Sequence, residues 1–536
     1  MESFIEKNRK KDNKSEINAI ILAAGVGLRL VPINNKVPKA MLCVNGKPLI
    51  ERQIEHLHEV GIKDICIVVG FKKELFFYLI EKYGVKLVNN DCFVEKNNLH
   101  SLSLVVEYIN NTYIIPSDIW CRKNPFKHQE DASWYMVSNR VDNESCVRID
   151  SNDNLNVVSP KIGGNAMLGI CYLDYKDSNI TRERIGNMSN LAAYDNAFWE
   201  KVLYNGNVIN IKGKPVSCAD YVEINTYEQL RELDSSSEQL KSNAIKLICN
   251  TFDVNEYEIT DINVLKKGMT NKSFLFSCKK DKYIMRIPGE GTDQLVNRAH
   301  EAYIYSAIME KDICDDVVYI NSKNGYKITR FISDSRPCNP YDINDVKLCM
   351  QKLKEFHSLE LSVNHYFDIF EQIEFYESLW DGNKSCYKDY EKTKAMVFKL
   401  RKYIDKNKEK YCLSHIDAVP DNFLIYTDNK GSNNVRLIDW EYAGMQDPHI
   451  DIAMFCIYSL YNKRQIDRTI NIYFENKCPQ TTRIKIYCYI AACGLLWSNW
   501  CEYKRMLGVE FGEYSLWQYK YAKKYSRILK EEIGVC

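Results

Sequence analysis

Three residues between positions 411 and 444 have the types and spacing that phosphoryl transfer requires. Moving a phosphoryl group from a nucleotide to a hydroxyl needs a carboxylate to accept the hydroxyl proton. It also needs oxygen ligands that hold a metal ion on the phosphates. The stretch Y-C-L-S-H-I-D-A-V-P-D-N-F-L-I-Y begins at Tyr411 and supplies Asp417 as the base and Asn422 as one ligand. After a polar turn, V-R-L-I-D-W-E-Y-A-G supplies Asp439 as the other ligand. Asp and Asn are common in turns, so either half alone means little. In the order H-x-D-x-x-x-x-N, strand, turn, strand, I-D, the two halves specify a base and two metal ligands on one scaffold. That scaffold is legible: Phe423–Tyr426 and Val435–Ile438 flank T-D-N-K-G-S-N-N, which predicts a hairpin. His415 is expected to orient the loop by hydrogen bonding, and Asp451 to brace it.

A second constellation lies near the start. Asn18–Ala24 reads as a buried strand that runs into G-V-G-L-R-L-V-P. Gly25 and Gly27 let backbone N–H groups approach an anion, and Arg29 adds charge. Neither G-K-[ST] nor a third glycine follows, so this is not a Walker loop or a dinucleotide fingerprint. V-P-K-A-M-L places a second cation, Lys39, about ten residues further on, within reach of a triphosphate. The elements behind it alternate. A helix carrying Ile50, Ile54, Leu57 and Val60 ends at Gly61. Strand Asp64–Gly70, helix Glu74–Tyr83 and strand Val85–Val88 follow. That alternation predicts a parallel sheet with its ligand at the strand C-terminal ends.

Bulk properties narrow the classes. The 536 residues are too many for one hydrophobic core, so two or three domains are expected. With 72 basic and 71 acidic residues, bulk charge argues against nucleic-acid binding. The one basic run, Lys7–Lys14, lies in a polar tail and reads as solvated. The 20 cysteines form no C-x-x-C pair, and several lie in apolar runs. With no signal peptide evident, this predicts a reducing, cytoplasmic setting without a zinc site. The apolar stretch Ile486–Trp497 is too short to span a bilayer, so no membrane anchor is expected. A serine cluster after Leu233 marks the junction. The expected domains are a tail at 1–15, an α/β domain at 16–235, a linker and helix at 236–250, and a second domain at 251–536.

The sequence L-A-A-G-V-G-L-R-L-V-P with V-P-K-A resembles the entry motif of the nucleotidyltransferase family that activates sugars and amino alcohols. K-Y-G-V-K-L-V-N-N followed by N-N-L-H-S-L is similar to the bacterial CTP:phosphocholine cytidylyltransferases. The resemblance implies a Rossmann-like, mostly parallel sheet. It implies a nucleotide bound by Leu22, Ala24, Gly25, Gly27, Asn98 and Ser101, with Arg29 and Lys39 as catalytic cations. Nucleotidyl transfer is an in-line attack on the α-phosphorus of CTP, and it needs Mg²⁺ on carboxylates. Asp118, Glu223 and Asn225 are the expected ligands. The chain departs from the family at Pro116-Ser117-Asp118, where Asp-x-Asp is usual, and at Glu223-Ile224-Asn225, where relatives have Glu-Ile-Asp. It also lacks the relatives' tryptophan near Ser145, which leaves Trp134, Tyr172 and Tyr194 as aromatic candidates for a trimethylammonium.

In the second half, Val264–Ser277 reads as strand, glycine turn, strand, a flap over ATP phosphates with Thr270 and Asn271 as donors. K-Y-I-M-R-I-P puts Arg286 on the next strand, where a cation faces the α- and β-phosphates. Glu301 in R-A-H-E-A-Y-I-Y is its expected partner. These segments, H-I-D-A-V-P-D-N and L-I-D-W-E-Y-A-G-M-Q-D-P-H-I-D-I-A resemble the choline kinase family. The resemblance implies an α+β, protein-kinase-like fold of the choline kinase and aminoglycoside phosphotransferase type. Trp497, Trp500 and Tyr503 recur at helical spacing. Such a stripe is ordinarily core; the resemblance favours a quaternary-ammonium cage, with Trp440 and Glu441 beside Asp439.

Together these readings imply a bifunctional enzyme with Mg²⁺ as cofactor. One domain would phosphorylate choline with ATP. The other would join phosphocholine to CTP, giving CDP-choline and pyrophosphate. Two alternatives stay open: the same chemistry on ethanolamine or 2-aminoethylphosphonate, or a working kinase behind a non-catalytic nucleotide-binding domain. No nucleic acid or obligate protein partner is expected.

Overall fold

A computed structural model describes residues 16–25, 32, 37–142, 145, 147–158, 163–204, 211–217, 219–265, 271–289, 295–428, 431–506 and 511–533. Gly27, Arg29 and Thr270 lie outside the described residues, as do Gly268 and the basic run Lys7–Lys14. The chain divides into two compact units, Met1–Val264 and Leu265–Cys536.

The first unit is built on β1 (Asn18–Ala23), buried at every residue but the first. A strand covered on both faces reads as a continuous apolar run, as this one does. The chain continues through α1 (Leu49–Glu59), β2 (Ile65–Val69), α2 (Tyr78–Tyr83), β3 (Lys86–Asn89) and α3 (Asn98–Ser103). Next come β4 (Thr112–Pro116), β5 (Ile119–Cys121), β6 (Trp134–Asp142), β7 (Gly164–Leu173), β8 (Lys212–Val216) and β9 (Tyr221–Glu223). Seven strands form one sheet in the order β8-β6-β7-β4-β1-β2-β3. Pairs β1–β2, β1–β4, β2–β3 and β6–β8 are parallel, and only β7 runs antiparallel to its neighbours β4 and β6. The mostly parallel sheet read from the sequence is therefore present. β5 and β9 form a separate antiparallel pair that places Glu223 opposite Ile119.

The segment expected to link the domains is built into this unit. The Asn45 amide donates to Asp234 at 2.7 Å, the Cys43 amide to the Gln239 side chain at 2.7 Å, and Ser237 Oγ to the Cys43 carbonyl at 3.2 Å. Ser242 caps the helix that follows, α4 (Asn243–Phe252), by accepting from the Ile245 amide. Polar side chains that read as a linker are thus hydrogen-bond partners of 43–45, with Asp234 and Ser237 buried, and the units divide later, at Val264.

In the second unit β10 (Asn271–Cys278), β11 (Asp281–Pro288), β12 (Val317–Ile320) and β13 (Lys327–Arg330) lie in the order β10-β11-β13-β12, all antiparallel. Helix α5 (Arg298–Ile308) follows β11. A larger helical part contains α6 (Ile343–Ser358), β14 (Cys412–Ser414), β15 (Phe423–Thr427), β16 (Asn433–Leu437) and β17 (Gly444–Gln446). It ends with α7 (His449–Tyr458), α8 (Lys463–Tyr473), α9 (Gln480–Met506) and α10 (Glu513–Ile533). The expected hairpin is β15–β16, paired from Phe423↔Leu437 to Thr427↔Asn433.

The helix containing Ile486–Trp497 is longer than its apolar run. α9 has 27 residues and is buried without interruption from Lys485 to Lys504. It is buried all round because α7, α10 and helix Ile369–Ser378 pack against it. Its charges at Lys485, Glu502 and Lys504 are inside the unit. Among the described residues, no helix is long and apolar enough to cross a membrane.

Candidate active sites

In the first unit a cavity of about 390 Å³ opens at the C-terminal ends of β1 and β4. It is lined by Leu22, Ala24, Gly25, Lys39, Asn98, Ser101 and Asp118, seven residues singled out from the sequence. The floor is a short loop, Pro116–Ile119, held from three sides. Gln53 on α1 donates to the carbonyls of Pro116 and Ile119 at 2.9 and 3.1 Å. The Ser117 amide donates to the Leu22 carbonyl at 3.2 Å, and the Ile224 amide to the Asp118 carbonyl at 2.9 Å. The last bond ties Asp118 to the chain between Glu223 and Asn225. Pro116 itself sits over Gly169, where a Cβ would come within 2.6 Å of the proline ring. A side chain at 169 would push this loop off the strand.

Lys39 joins the ligand candidates. Its ammonium donates to Asp118 Oδ2 at 2.9 Å and to Asn225 Oδ1 at 2.6 Å. α3 presents the next group. Ser101 accepts from Asn90 at 3.0 Å, and Asn98 Oδ1 accepts from the Trp199 amide at 2.7 Å. One carboxylate escaped the sequence reading. Glu200 accepts from Tyr135 OH at 3.1 Å, and its Oε2 is buried with no hydrogen-bond partner. Burial pushes this carboxyl up to about 7, and the charges of Glu223 and Asp118 add to the effect. The signal was F-W-E after a turn, a glutamate beside two bulky aromatics. Trp134 and Tyr172 are core residues around Tyr113, with Lys214 over the Trp134 ring at 3.9 Å, and Tyr194 packs at the margin of a second core cluster. None of the three lines the cavity; its aromatic lining is Phe93 and Phe198.

In the second unit the catalytic loop is fixed by one carboxylate. Asp451 on α7 accepts from the His415 amide on Oδ2 and from the Ile416 amide on Oδ1, both at 2.8 Å. The His415 ring donates to the Ile438 carbonyl at 3.0 Å, so the loop bearing Asp417 is tied to the one bearing Asp439. Burial drops the His415 imidazole to about 4, which leaves it neutral and a poor proton acceptor at pH 7. Asn422 donates to Asp417, to its carbonyl at 2.9 Å and its carboxylate at 3.0 Å. Burial pushes the Asp417 carboxyl up to about 8, with Asp439 and Glu441 adding like charge. Asp439 is also raised, by burial and then by Glu441.

Arg286 and Glu301 form a two-pronged pair, 2.5 and 2.7 Å, almost wholly out of water. Burial would raise the Glu301 carboxyl, but Arg286, Lys327 and Arg298 hold it below its ordinary value. Arg286 also reaches Asp439 at 3.2 Å, and Arg298 joins Glu301 to Glu441 at 3.3 and 3.0 Å. Two assignments change here. Asn271, read as a phosphate donor, gives its amide to Glu441 at 3.0 Å. Glu441, read as part of an ammonium cage, is a buried member of this ionic cluster.

Trp440 is a packing residue and not part of a cage. It is 0% exposed, lies 4.5 Å from the His415 ring and donates its N–H to the Leu437 carbonyl. The other aromatic candidates do come together. The Trp497 and Trp500 rings are 5.6 Å apart, and Tyr442 meets Trp497 edge-on at 5.9 Å. The Lys504 ammonium lies over Trp500 at 5.4 Å. Tyr503 is buried on the same helix. Tyr442, within the motif but not singled out from it, links this cluster to the Asp439 loop.

Comparison with known proteins follows the same division. Residues 19–122 match the MobA-like NTP transferase domain, and residues 262–490 match the Choline/ethanolamine kinase family. A choline-phosphate cytidylyltransferase of Streptococcus pneumoniae is 36% identical over 245 residues, 45% of this chain and 97% of the relative. A 2-aminoethylphosphonate cytidylyltransferase of Lancefieldella rimae is 30% identical over 233 residues, 42% of this chain and 95% of the relative. The crystal structure of choline kinase LicA from Streptococcus pneumoniae aligns at a TM-score of 0.46 with 27% identity, over 53% of this chain and 98% of that one. Through its first half the chain belongs to the choline-phosphate cytidylyltransferase family, and its second half is a choline/ethanolamine kinase domain.

Proposed function

We propose that the second unit phosphorylates choline with ATP and that the first transfers CMP from CTP to the phosphocholine so formed. The observation that carries this reading is that one chain holds both constellations: Asp417–Asn422–Asp439 in a kinase domain, and Lys39–Asp118–Asn225 on the floor of a nucleotidyltransferase cavity. The product of the first reaction is the substrate of the second.

Both sites suit Mg²⁺. In the first unit, a carboxylate and an amide oxygen already converge on one positive charge, the Lys39 ammonium. In the second, Asn422 uses its N–H on Asp417 and leaves Oδ1 for a metal, and its main-chain carbonyl accepts from the amide of Ile438, the residue before Asp439. Burial first, and then the neighbouring carboxylates, raise Asp417 and Asp439, and a divalent cation relieves the second of these. Among the described residues there is no cluster of three or more His, Cys, Asp or Glu ready to hold a metal. Mg²⁺ takes one or two protein carboxylates and completes its shell with phosphate and water. When bound, it neutralises phosphate charge that builds up during transfer.

The chain's own groups do the rest. Asp417 accepts the proton of the choline hydroxyl while its oxygen attacks the γ-phosphorus and ADP leaves. Arg286, held by Glu301, supplies charge to the remaining phosphates. In the first unit a phosphocholine oxygen attacks the α-phosphorus of CTP and pyrophosphate leaves, with Lys39 and Arg29 holding the triphosphate. Trp497, Trp500, Tyr503 and Tyr442 supply aromatic faces for the quaternary ammonium. The described cysteines are all thiols, most of them buried, which supports work in the reducing cytoplasm.

A second reading changes the first-unit substrate to 2-aminoethylphosphonate. It is favoured by a cavity whose aromatic residues are phenylalanines, poorer partners for a trimethylammonium than tryptophan. Incubating the protein with choline, ATP, CTP and Mg²⁺ tests the main reading by the appearance of phosphocholine, then CDP-choline. Phosphocholine alone refutes the first-unit assignment. Running the CTP step with phosphocholine, phosphoethanolamine and 2-aminoethylphosphonate in parallel decides between the substrates.

A further inference from the structure

Two imidazole rings lie face to face in the second unit. His300, in the first turn of α5, and His365, on the stretch before helix Ile369–Ser378, have ring centroids 3.9 Å apart and planes 13° from parallel. Both side chains are half-buried. What each ring is attached to gives the contact its meaning. Glu301, next to His300, makes the two-pronged pair with Arg286 that was proposed above to serve the nucleotide phosphates. His365 belongs to a stretch that pairs with β17. The Met445 amide donates to the His365 carbonyl at 3.0 Å, and the Phe367 amide to the Met445 carbonyl at 3.2 Å. β17 pairs in turn with β14, which leads into the catalytic loop.

The His365 ring is seated from that side. Its Nε2–H donates to the Ala443 carbonyl at 2.9 Å, and Nδ1 lies 3.3 Å from Asn364 Oδ1. Facing two carbonyl oxygens, the ring donates from both nitrogens when it carries its proton. An imidazolium on the face of a neutral ring is an attractive pair; two imidazoliums in the same place repel. Burial, and then the charge of His365, hold the His300 imidazole below its ordinary value. The charged neighbours of His300 on α5 face elsewhere: Arg298 and Glu301 enter the ionic cluster with Arg286 and Glu441. Beside His365, Tyr366 packs on Tyr411. The stack is therefore intact at neutral pH and weakens as pH falls below about 6.5, the ordinary imidazole value.

We propose that His300 and His365 are positioning residues for ATP. Their stack ties α5 to the part of the unit that bears the catalytic loop, and so keeps Glu301, and through it Arg286, on the nucleotide phosphates. The assignment rests on the kinase reading of the second unit. Because Glu301 and Arg286 serve the nucleotide, the contact governs KM for ATP and leaves KM for choline alone.

The test measures choline phosphorylation by the full chain and its H300A, H365A and H300F variants at pH 7.5 and 5.5. Each is compared with the wild type at the same pH, which cancels the titration of ATP and of Asp417. At pH 7.5, H300A and H365A should each raise KM for ATP about tenfold, with KM for choline within about twofold of the wild type. The double alanine variant should add little to either, because the two rings make one contact. H300F keeps a ring on His365 and takes no proton, so at pH 7.5 its KM for ATP should stay within about twofold of the wild type. At pH 5.5 its KM for ATP should be about threefold lower than that of the wild type, whose stack has weakened. Alanine variants that raise KM for choline in place of ATP overturn the proposal. So does an H300F that tracks the wild type from pH 7.5 to 5.5, a readout that stands even if the alanine variants do not fold. If the wild type makes no phosphocholine, both this assignment and the kinase reading fall. If it does and H300A and H365A match it, this assignment alone falls.

Discussion

The charged groups of the two sites are held in different ways. In the first unit the Lys39 and Asp118 side chains are 14% and 19% exposed, at the wall of an open cavity. In the second unit Arg286 and Glu301 are 6% and 1% exposed, and Arg298 and Glu441 close the same cluster out of water. The first arrangement is open to exchange: Lys39 occupies the oxygens proposed above for Mg²⁺, so on that proposal the ammonium moves onto the phosphates when metal and nucleotide bind. The second is set in advance, because a buried arginine bonded through both terminal nitrogens has little freedom to rearrange. One chain thus pairs a site that exchanges partners with a site that is pre-organised.

The sharpest way to break this comparison is to remove the base. Asp417→Asn should lower choline phosphorylation about 10³-fold and leave the CTP step unchanged, measured by product formation with each substrate pair. A parallel loss of CDP-choline synthesis from supplied phosphocholine would contradict independent sites. Lys39→Met should lower the CTP step about 10²-fold. If the ammonium competes with the metal, the same variant should also reach half-maximal activity at a lower Mg²⁺ concentration. An unchanged Mg²⁺ requirement would mean Lys39 does not stand in the way.

Stability should separate the sites as well. Glu301→Gln leaves buried guanidinium charge uncompensated and should destabilise the second unit by about 3 kcal/mol in denaturant titration. Lys39→Met, at a partly wet site, should cost under about 1 kcal/mol. Trp497→Leu should raise KM for choline about tenfold with kcat little changed. Trp440→Phe should alter stability alone, since that ring packs on His415 and Phe356. The smallest effect is expected at Glu200. Its carboxyl is raised to about 7, so the group is neutral below that pH and charged above it. The charged form adds to the field of Asp118 and Glu223, so the Mg²⁺ needed for the CTP step should fall as pH rises from 6 to 8. Glu200→Gln should flatten that dependence.

Much of this was legible in the sequence because it is local. The strand before Gly25 and the hairpin between Asn422 and Asp439 follow from short-range pattern, and the seven residues lining the first cavity were reached through short motifs and the family resemblance those motifs carry. What was not legible depends on distant chain. Glu441 follows Asp439 by two residues and reads as its companion in a substrate site. Only the approach of Arg298 and Asn271, 143 and 170 positions away, makes it a structural ion. Trp440 next to it suggested a cage for the same reason of adjacency, yet its ring is turned into the core. Glu200 went unnoticed because Tyr135, Glu223 and Asp118 are scattered along the chain. The substitution of Pro116 for the family's aspartate looked like a lost ligand. In the structure it is a packing feature, a ring filling the space that Gly169 leaves.

The segment Asp234–Gln239 has a consequence for synthesis on the ribosome. Because these residues bond to the amides and carbonyls of 41–45, the first unit is not complete when its last sheet strand has emerged. It must wait for Gln239, and for the helix up to Phe252, to clear the exit tunnel. At about 5–20 residues per second, the roughly 30 residues from Glu223 to that helix delay closure by some 2–6 s. During that interval the nascent hairpin at Cys43–Lys47 lacks its partners, which makes it the place where a chaperone or a protease would find the growing chain open.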